Sequence, residues 1–270
     1  MRDLFRLDHR VAVVTGALGN LGPVWTEGLL EAGAAVLGID RPGAKMTERF
    51  RRLQDRYGEK RLGLFRADVC DRRALIKARE FCLSEFGTPA ILVNNAGIDQ
   101  PPGKLKKSYR MEDVPVEISR AIFEVNVLGL FQSAQVFGAA MLKAKRGSII
   151  NIGSLYASVS PDLRFYDHIP SDPPFLKPPA YGASKAAVVN LTQYLATVWA
   201  ARNVRVNALS PGGVQGGQDE KFIRKFSSRV PLARMAVDRD LIGPLLFLAS
   251  DASSYVTGAN LKVDGGYTVW

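Results

Sequence analysis

Residues 11–22 read Val-Ala-Val-Val-Thr-Gly-Ala-Leu-Gly-Asn-Leu-Gly, and an amphipathic stretch follows them over residues 24–32. A β-prone apolar run, a glycine-rich turn and then helical spacing describe a buried strand, a tight reversal and a helix. Glycines in such a turn let the backbone approach a diphosphate, whose charge then rests at the helix N-terminus. Asp40 closes the next apolar run, 18 residues after Gly22. A carboxylate at that point accepts the hydroxyls of an adenosine ribose and repels a 2′-phosphate. The glycine turn alone also fits a plain strand-to-helix connection; the turn together with Asp40 is the more specific signal.

The same alternation continues along the chain. Short runs rich in Val, Ile and Leu lie at 35–39, 63–67, 90–94, 147–152, 204–209 and 260–263. Helical spacing occupies 46–57, 72–86, 118–144, 183–201 and 239–250. This predicts an α/β protein with a doubly wound, mostly parallel sheet flanked by helices on both faces. Without repeats or a low-complexity linker, residues 1–270 read as a single domain. Two stretches break the rhythm: 99–116, with Pro101, Pro102 and Pro115, and 158–179, with Pro161, Pro170, Pro173, Pro174, Pro178 and Pro179. Prolines at that density exclude a long helix or central strand. Both stretches follow a predicted strand, which places them on the ligand-binding edge of a parallel sheet.

The composition, 47% apolar and 23% charged over 270 residues, excludes wholesale disorder. No apolar run approaches the roughly 20 residues of a membrane helix. The N-terminal residues alternate in charge, so no secretory signal is expected. Two cysteines, Cys70 and Cys82, and two histidines supply neither a disulfide framework nor a metal site. The expectation is a reduced, cytoplasmic, metal-free protein that does not enter membranes. Much of the +10 net charge falls in 49–61 and 104–110, which read as solvated faces, with attraction to anionic ligands as the alternative. No nucleic-acid-binding motif accompanies it.

The sequence resembles the short-chain dehydrogenase/reductase family over essentially its whole length. The resemblance is carried, in order, by the glycine-rich turn, Asp68-Val69, Asn94-Asn95-Ala96-Gly97, Asn126, Ser154, Tyr181-Gly182-Ala183-Ser184-Lys185, Ser210-Pro211-Gly212-Gly213, Thr257-Gly258 and Asp264-Gly265-Gly266. A Tyr-x-x-x-Lys match alone says little; the ordered set is far more specific. It implies a Rossmann fold and a nicotinamide cofactor, with NAD expected ahead of NADP because of Asp40. The cofactor residues it implies are Gly16, Gly19, Asn20, Leu21, Gly22, Asp40, Arg41, Asp68, Val69, Asn95, Ala96, Gly97, Tyr181, Lys185, Pro211, Gly212 and Val214. A homodimer or homotetramer acting on a small-molecule substrate is implied as well.

The chemistry of the set follows from its residue types. Tyr181 and Lys185 are one helical turn apart and share a face. A phenol has an ordinary pKa of ~10, and a neighbouring ammonium favours the phenolate, which suits Tyr181 as acid/base. Ser154 is placed to hydrogen-bond the substrate oxygen. The family implies a ribose contact for Lys185. For Asn126 it implies a water that relays protons from Lys185, and the alternative is a purely structural tie. Three departures from the family pattern stand out. Asn20 occupies a usual glycine position, and asparagine tolerates left-handed backbone. Gly216 replaces the usual threonine beside the nicotinamide amide. Ser154 and Tyr181 are 27 residues apart, about twice the family gap, and the excess is the proline-rich loop.

That loop, about 158–179, carries Asp162, Arg164, Tyr166, Asp167 and His168, polar groups that suit a polyhydroxylated or charged substrate. With Tyr156, Arg164 and His168 are the expected substrate contacts beyond Ser154 and Tyr181; an oligomer contact is the structural alternative. Residues 215–234 match the family's substrate lid. The reading is interconversion of a secondary alcohol and a ketone on a small sugar-like or hydroxy-acid substrate. The rivals are an NADPH-dependent reductase of carrier-bound acyl groups and a non-catalytic dinucleotide sensor. Retention of both Tyr181 and Lys185 argues against the sensor.

Overall fold

The computed structural model describes residues 4–100 and 108–270. Seven strands form one sheet: β1 (Val11–Thr15), β2 (Ala35–Asp40), β3 (Leu62–Arg66), β4 (Pro89–Asn94), β5 (Gly147–Ile152), β6 (Val204–Pro211) and β7 (Asn260–Val263). Their order is β3-β2-β1-β4-β5-β6-β7, and every pairing is parallel. Strand order reverses between β1 and β4, the crevice in which parallel sheets hold their ligands.

The helices are α1 (Gly22–Glu31), α2 (Glu48–Tyr57), α3 (Arg72–Glu85), α4 (Val116–Phe123), α5 (Leu130–Ala144), α6 (Pro179–Trp199), α7 (Glu220–Ser227) and α8 (Asp238–Ala249). Period-two alternation divides β1 and β2 between two cores. Ala12, Val14 and Val36 face a layer with Trp25, Phe50, Leu241 and Leu245. Val11, Val13, Leu37 and Ile39 face the other, with Leu75, Phe137, Met141 and Leu195. Side chains this fully buried each contribute about 1.5–3 kcal/mol, so both faces of the sheet are anchored and its carboxyl edge is a rigid platform.

Local signals set the helix ends. The Thr47 hydroxyl accepts from the Phe50 amide to start α2, and Asp71 takes the Arg73 and Ala74 amides to start α3. The single helix expected over 118–144 is instead α4, a π-helical segment Glu124–Gly129 and α5. The wide turn centres on Asn126, and such turns recur at functional sites. Together, Val116–Ala144 is the one described helical stretch long and apolar enough to cross a membrane, which inspection of apolar runs alone does not reveal. Half of its apolar window is buried within the protein, including Phe137 and Met141 against the sheet. The first three residues, and Pro101, Pro102 and the lysines at 104, 106 and 107, lie outside the described residues.

Candidate active site

The carboxyl ends of β1, β4, β5 and β6 open into a cleft of about 490 Å³. Among the residues expected from sequence, Asn20, Leu21, Asn95, Gly97, Ser154, Tyr156, Tyr181, Lys185, Pro211, Gly212 and Val214 line it. Gly16, Gly19, Gly22 and Ala96 lie in the turns beneath. Asp40 and Arg41 follow at the end of β2, and Asp68 and Val69 just beyond β3.

The glycine turn has the shape a dinucleotide requires. Gly16 has φ +64°, and a Cβ there would lie 2.8 Å from Ala96 Cα. A Cβ on Gly22 would approach the Gly16 carbonyl oxygen to 2.3 Å. The Asn95 side chain locks the turn, its amide donating to the carbonyls of Thr15 (3.0 Å) and Gly16 (2.9 Å) while it accepts from Trp25 Nε1 (2.8 Å). Asn20 is not among the positive-φ residues, so its tolerance of left-handed backbone is not called on; Gly16 makes that bend. Helix α1 has Leu21 at its N-cap, no side-chain cap and no acid in its first turn, which leaves its N-terminal amides and positive dipole end for an anion. Asp40 Oδ2 accepts from the Leu18 amide and Oδ1 from its neighbour's amide at Arg41, both at 2.8 Å. Its carboxylate is thereby aimed beside the turn, where a ribose would be met.

At the other end, Ser154 follows β5 and is buried, its Oγ accepting from the Tyr156 amide at 3.2 Å. Tyr181 opens α6, its ring edge-on to Tyr156 at 6.4 Å between centroids. Lys185, 5% exposed, donates from Nζ to the Ile152 carbonyl at 2.8 Å and lies 5.9 Å from the Tyr181 ring centre. Burial pushes the Lys185 ammonium down to about 8. Burial also raises the Tyr181 phenol above its ordinary value, opposed by the Ser154 hydroxyl. In the cofactor-free protein, desolvation outweighs the lowering by Ser154, and the charge of Asp99 adds to the rise.

Asn126 donates to the Ile98 carbonyl (2.9 Å) and to Ser184 Oγ (3.0 Å), and accepts from the Ile98 amide (2.8 Å). Both donors and one lone pair are used, so the side chain ties the loop after β4 to α6. A Cβ on Gly97 would stand 3.2 Å from Asn126 Oδ1 and 3.5 Å from Lys185 Nζ. The missing side chain keeps a polar notch between them.

Arg164 and His168 are not brought to this cleft. Arg164 is 77% exposed and paired with Asp162; in the short turn Leu163–Phe165 its guanidinium bends back onto its own N-cap. His168 Nε2 bonds both carboxylate oxygens of Asp219 at 2.9 and 3.0 Å, at the start of α7. That contact, with the burial of Phe165 against Phe222 and Phe226, turns this part of the proline-rich loop towards residues 215–234. What reaches the cleft is Tyr166 and Lys177 from the loop, with Asp99, Gln100, Gln218, Phe222, Phe226 and Met235. Of these, only Tyr166 is singled out by the sequence, as one of the loop's polar groups. Gln218 stands near the position of the absent threonine, accepting from the Gly216 amide at 2.7 Å and donating to the Val214 carbonyl at 3.0 Å.

The glycine turn, Asp40, Ser154, Tyr181 and Lys185 stand along one sheet edge, and comparison with known proteins identifies the family. A family model described as "Enoyl-(Acyl carrier protein) reductase" matches residues 16–268. The chain belongs to the short-chain dehydrogenase/reductase family. It is 36% identical to the galactitol 2-dehydrogenase (L-tagatose-forming) of Cereibacter sphaeroides, over 100% of this chain and 99% of that protein. It is 32% identical to the NADH-dependent L-xylulose reductase of Ambrosiozyma monospora, over 98% of this chain and 97% of that one. The crystal structure of a gluconate 5-dehydrogenase from Burkholderia cenocepacia, in complex with NADP and tartrate, superposes with a TM-score of 0.81 at 32% identity, covering 99% of this chain and 98% of that one. This short-chain dehydrogenase/reductase is thus an NAD(P)-dependent oxidoreductase that interconverts a secondary alcohol and a ketone.

Proposed function

We propose that the enzyme oxidises a small polyhydroxylated secondary alcohol, or reduces the matching ketone, with NAD(H) preferred over NADP(H). The observation that carries this is a polar cleft with Tyr181, Ser154 and Lys185 around one point, joined to a ribose end that carries Asp40. The relatives named for galactitol and L-xylulose support the substrate class, and the NADH-dependent relative supports the cofactor. A carrier-bound acyl chain is less well served by a cleft walled with Tyr156, Tyr166, Lys177 and Gln218.

When bound, the nicotinamide accepts or donates the hydride. The turn from Gly16 to Gly22 and the α1 N-terminus would hold its diphosphate. Asp40 would hold the adenosine ribose, Asp68 and Val69, just beyond β3, would contribute to holding the cofactor, and Lys185 would reach the second ribose. Ser154 donates to the substrate oxygen. Tyr181 takes the hydroxyl proton during oxidation and returns one to the ketone oxygen during reduction. Lys185 stabilises the phenolate, and the spare lone pair of Asn126, across the Gly97 notch, offers a water the next place in the proton path.

We assign residues 158–179 and 215–234 as an inserted substrate loop and a lid on one domain. The two free cysteines suit a cytoplasmic enzyme. Exposed apolar side chains such as Tyr194 and Val198 on α6, and Trp270 at the C-terminus, suit a homodimer or homotetramer. A screen of polyols, ketoses, sugar acids and acyl ketones with both cofactors tests the reading. Tyr181→Phe should keep fold and cofactor affinity while turnover falls ~10²–10⁴-fold, the contribution of a positioned acid/base group. Near-native turnover in that variant refutes the mechanism.

A further inference from the structure

The proline-rich loop returns to the cleft just before α6, and the residue it delivers is Lys177. The ammonium lies 5.0 Å from the Tyr181 ring centre and 5.8 Å from that of Tyr156, and the side chain is only 15% exposed. Its Nζ donates to Asp99 Oδ2 at 3.3 Å. Asp99 belongs to the loop after β4, two residues beyond Gly97, so two loops far apart in sequence meet over the catalytic tyrosine. Both residues line the same cleft as Ser154 and Tyr181. The third charged group in that lining, Lys185, lies beneath them with its ammonium on the Ile152 carbonyl.

An exposed ion pair contributes little to stability. Inside a substrate cleft, the same pair decides which charges can enter. A lone lysine above the tyrosine would attract a carboxylate. Paired with Asp99 it has no net charge to offer, and the aspartate repels an anion brought alongside. What the pair does offer is an acceptor and a donor side by side, the complement of hydroxyl groups on adjacent carbons. The negative charge of Asp99 is also felt at Tyr166 and Tyr181, raising both phenols.

We propose that Asp99 and Lys177 form the substrate-selecting end of the cleft, binding hydroxyls of a neutral polyol or ketose away from the reacting carbon and rejecting the carboxylate of a sugar acid. This rests on the polyhydroxyl reading above and narrows it. Lys177 and Asp99 are specificity residues here; the proton chemistry stays with Tyr181.

The test compares kcat/KM for galactitol and D-arabinitol with that for D-gluconate and D-galactonate, in the wild type, Asp99→Asn and Lys177→Met. The wild type should favour the polyols. Asp99→Asn keeps the shape and leaves Lys177 unopposed, so the polyol-to-acid ratio should fall roughly 10–100-fold, the effect of one charged hydrogen bond. Lys177→Met should raise KM for polyols by a similar factor with no gain on the acids. NADH affinity, read by fluorescence titration, should stay constant in both variants. A ratio unmoved within about threefold in Asp99→Asn, or a wild type that favours the sugar acids, overturns the proposal. A wild type that turns over neither class with either cofactor overturns the polyhydroxyl reading itself and removes the basis for the selector.

Discussion

Replacing Lys185 by methionine should stabilise the cofactor-free fold while it disables the enzyme. Burial moves the Lys185 ammonium from its ordinary 10.5 to about 8. At ~1.4 kcal/mol per tenfold change in acidity, keeping it charged inside the protein costs about 3 kcal/mol at neutral pH. Methionine fills much the same space without the charge, but leaves the Ile152 carbonyl without its 2.8 Å donor, a loss of about 1–2 kcal/mol. The difference leaves about 1–2 kcal/mol of net stabilisation, or roughly 2–4 °C in Tm for a chain of this size. Its pH dependence is specific. Below pH ~8 the folded and unfolded states both hold the proton, and the wild type bears the full cost. Between about 8 and 10.5 the folded state has released the proton that the unfolded state still holds, so wild-type stability rises with pH. The advantage of Lys185→Met should therefore be greatest near pH 7, shrink through pH 8–10 and reverse once only the lost hydrogen bond remains. Thermal melts of both proteins by circular dichroism, without cofactor, at intervals from pH 6 to 10 measure it. Turnover and NADH affinity should both be reduced in the variant. A Tm difference that does not change across that pH range refutes the reasoning, because it would mean that Lys185 carries no burial cost.

Asp40→Ala should weaken NADH binding and narrow its margin over NADPH, read by fluorescence titration with both; a preference for NADPH in the wild type would contradict the ribose role of Asp40. Arg164→Ala should leave KM and kcat unchanged, since that guanidinium is turned back on Asp162. His168→Ala removes a contact between the inserted loop and the start of α7, and should raise KM for the substrate without altering NADH affinity. Equal effects of the Arg164 and His168 changes in steady-state kinetics would mean that the loop does not divide as described.

The strand alternation was readable because parallel strands buried on both faces need continuous apolar runs, and Tyr181 and Lys185 because a helix places residues four apart on one face. The site's substrate end was not readable in the same way. Asp99 and Lys177 meet only because two loops converge, and neither periodicity nor spacing encodes that contact. Arg164 and His168 drew attention by their polarity, yet polarity does not say which way a loop turns. Phe165, buried between Phe222 and Phe226, decides it: packing those rings directs the middle of the loop onto α7. The direction in which the Tyr181 phenol is shifted has a related origin. A lysine one helical turn away can be counted from sequence, whereas the desolvation that raises the phenol depends on the walls of the finished cleft.

Those walls connect the inserted loop to residues 215–234. His168 joins Asp219, Lys225 donates to the Arg164 carbonyl at 3.0 Å and pairs with Asp167, and Phe222 stacks with Phe226, which stacks in turn on Tyr267. The aromatic contacts exclude water from the seam, and the polar ones fix its register. If residues 215–234 act as a lid, these contacts would keep it from swinging independently of the inserted loop: moving α7 away from the cleft would pull on the segment whose other end carries Lys177. Access to the reacting carbon and the arrangement of the Asp99–Lys177 pair would then be coupled by the chain itself. A substrate hydroxyl that engaged the pair would help hold the loop, and through it residues 215–234, so that binding remote from the reacting carbon would be converted into exclusion of water around it.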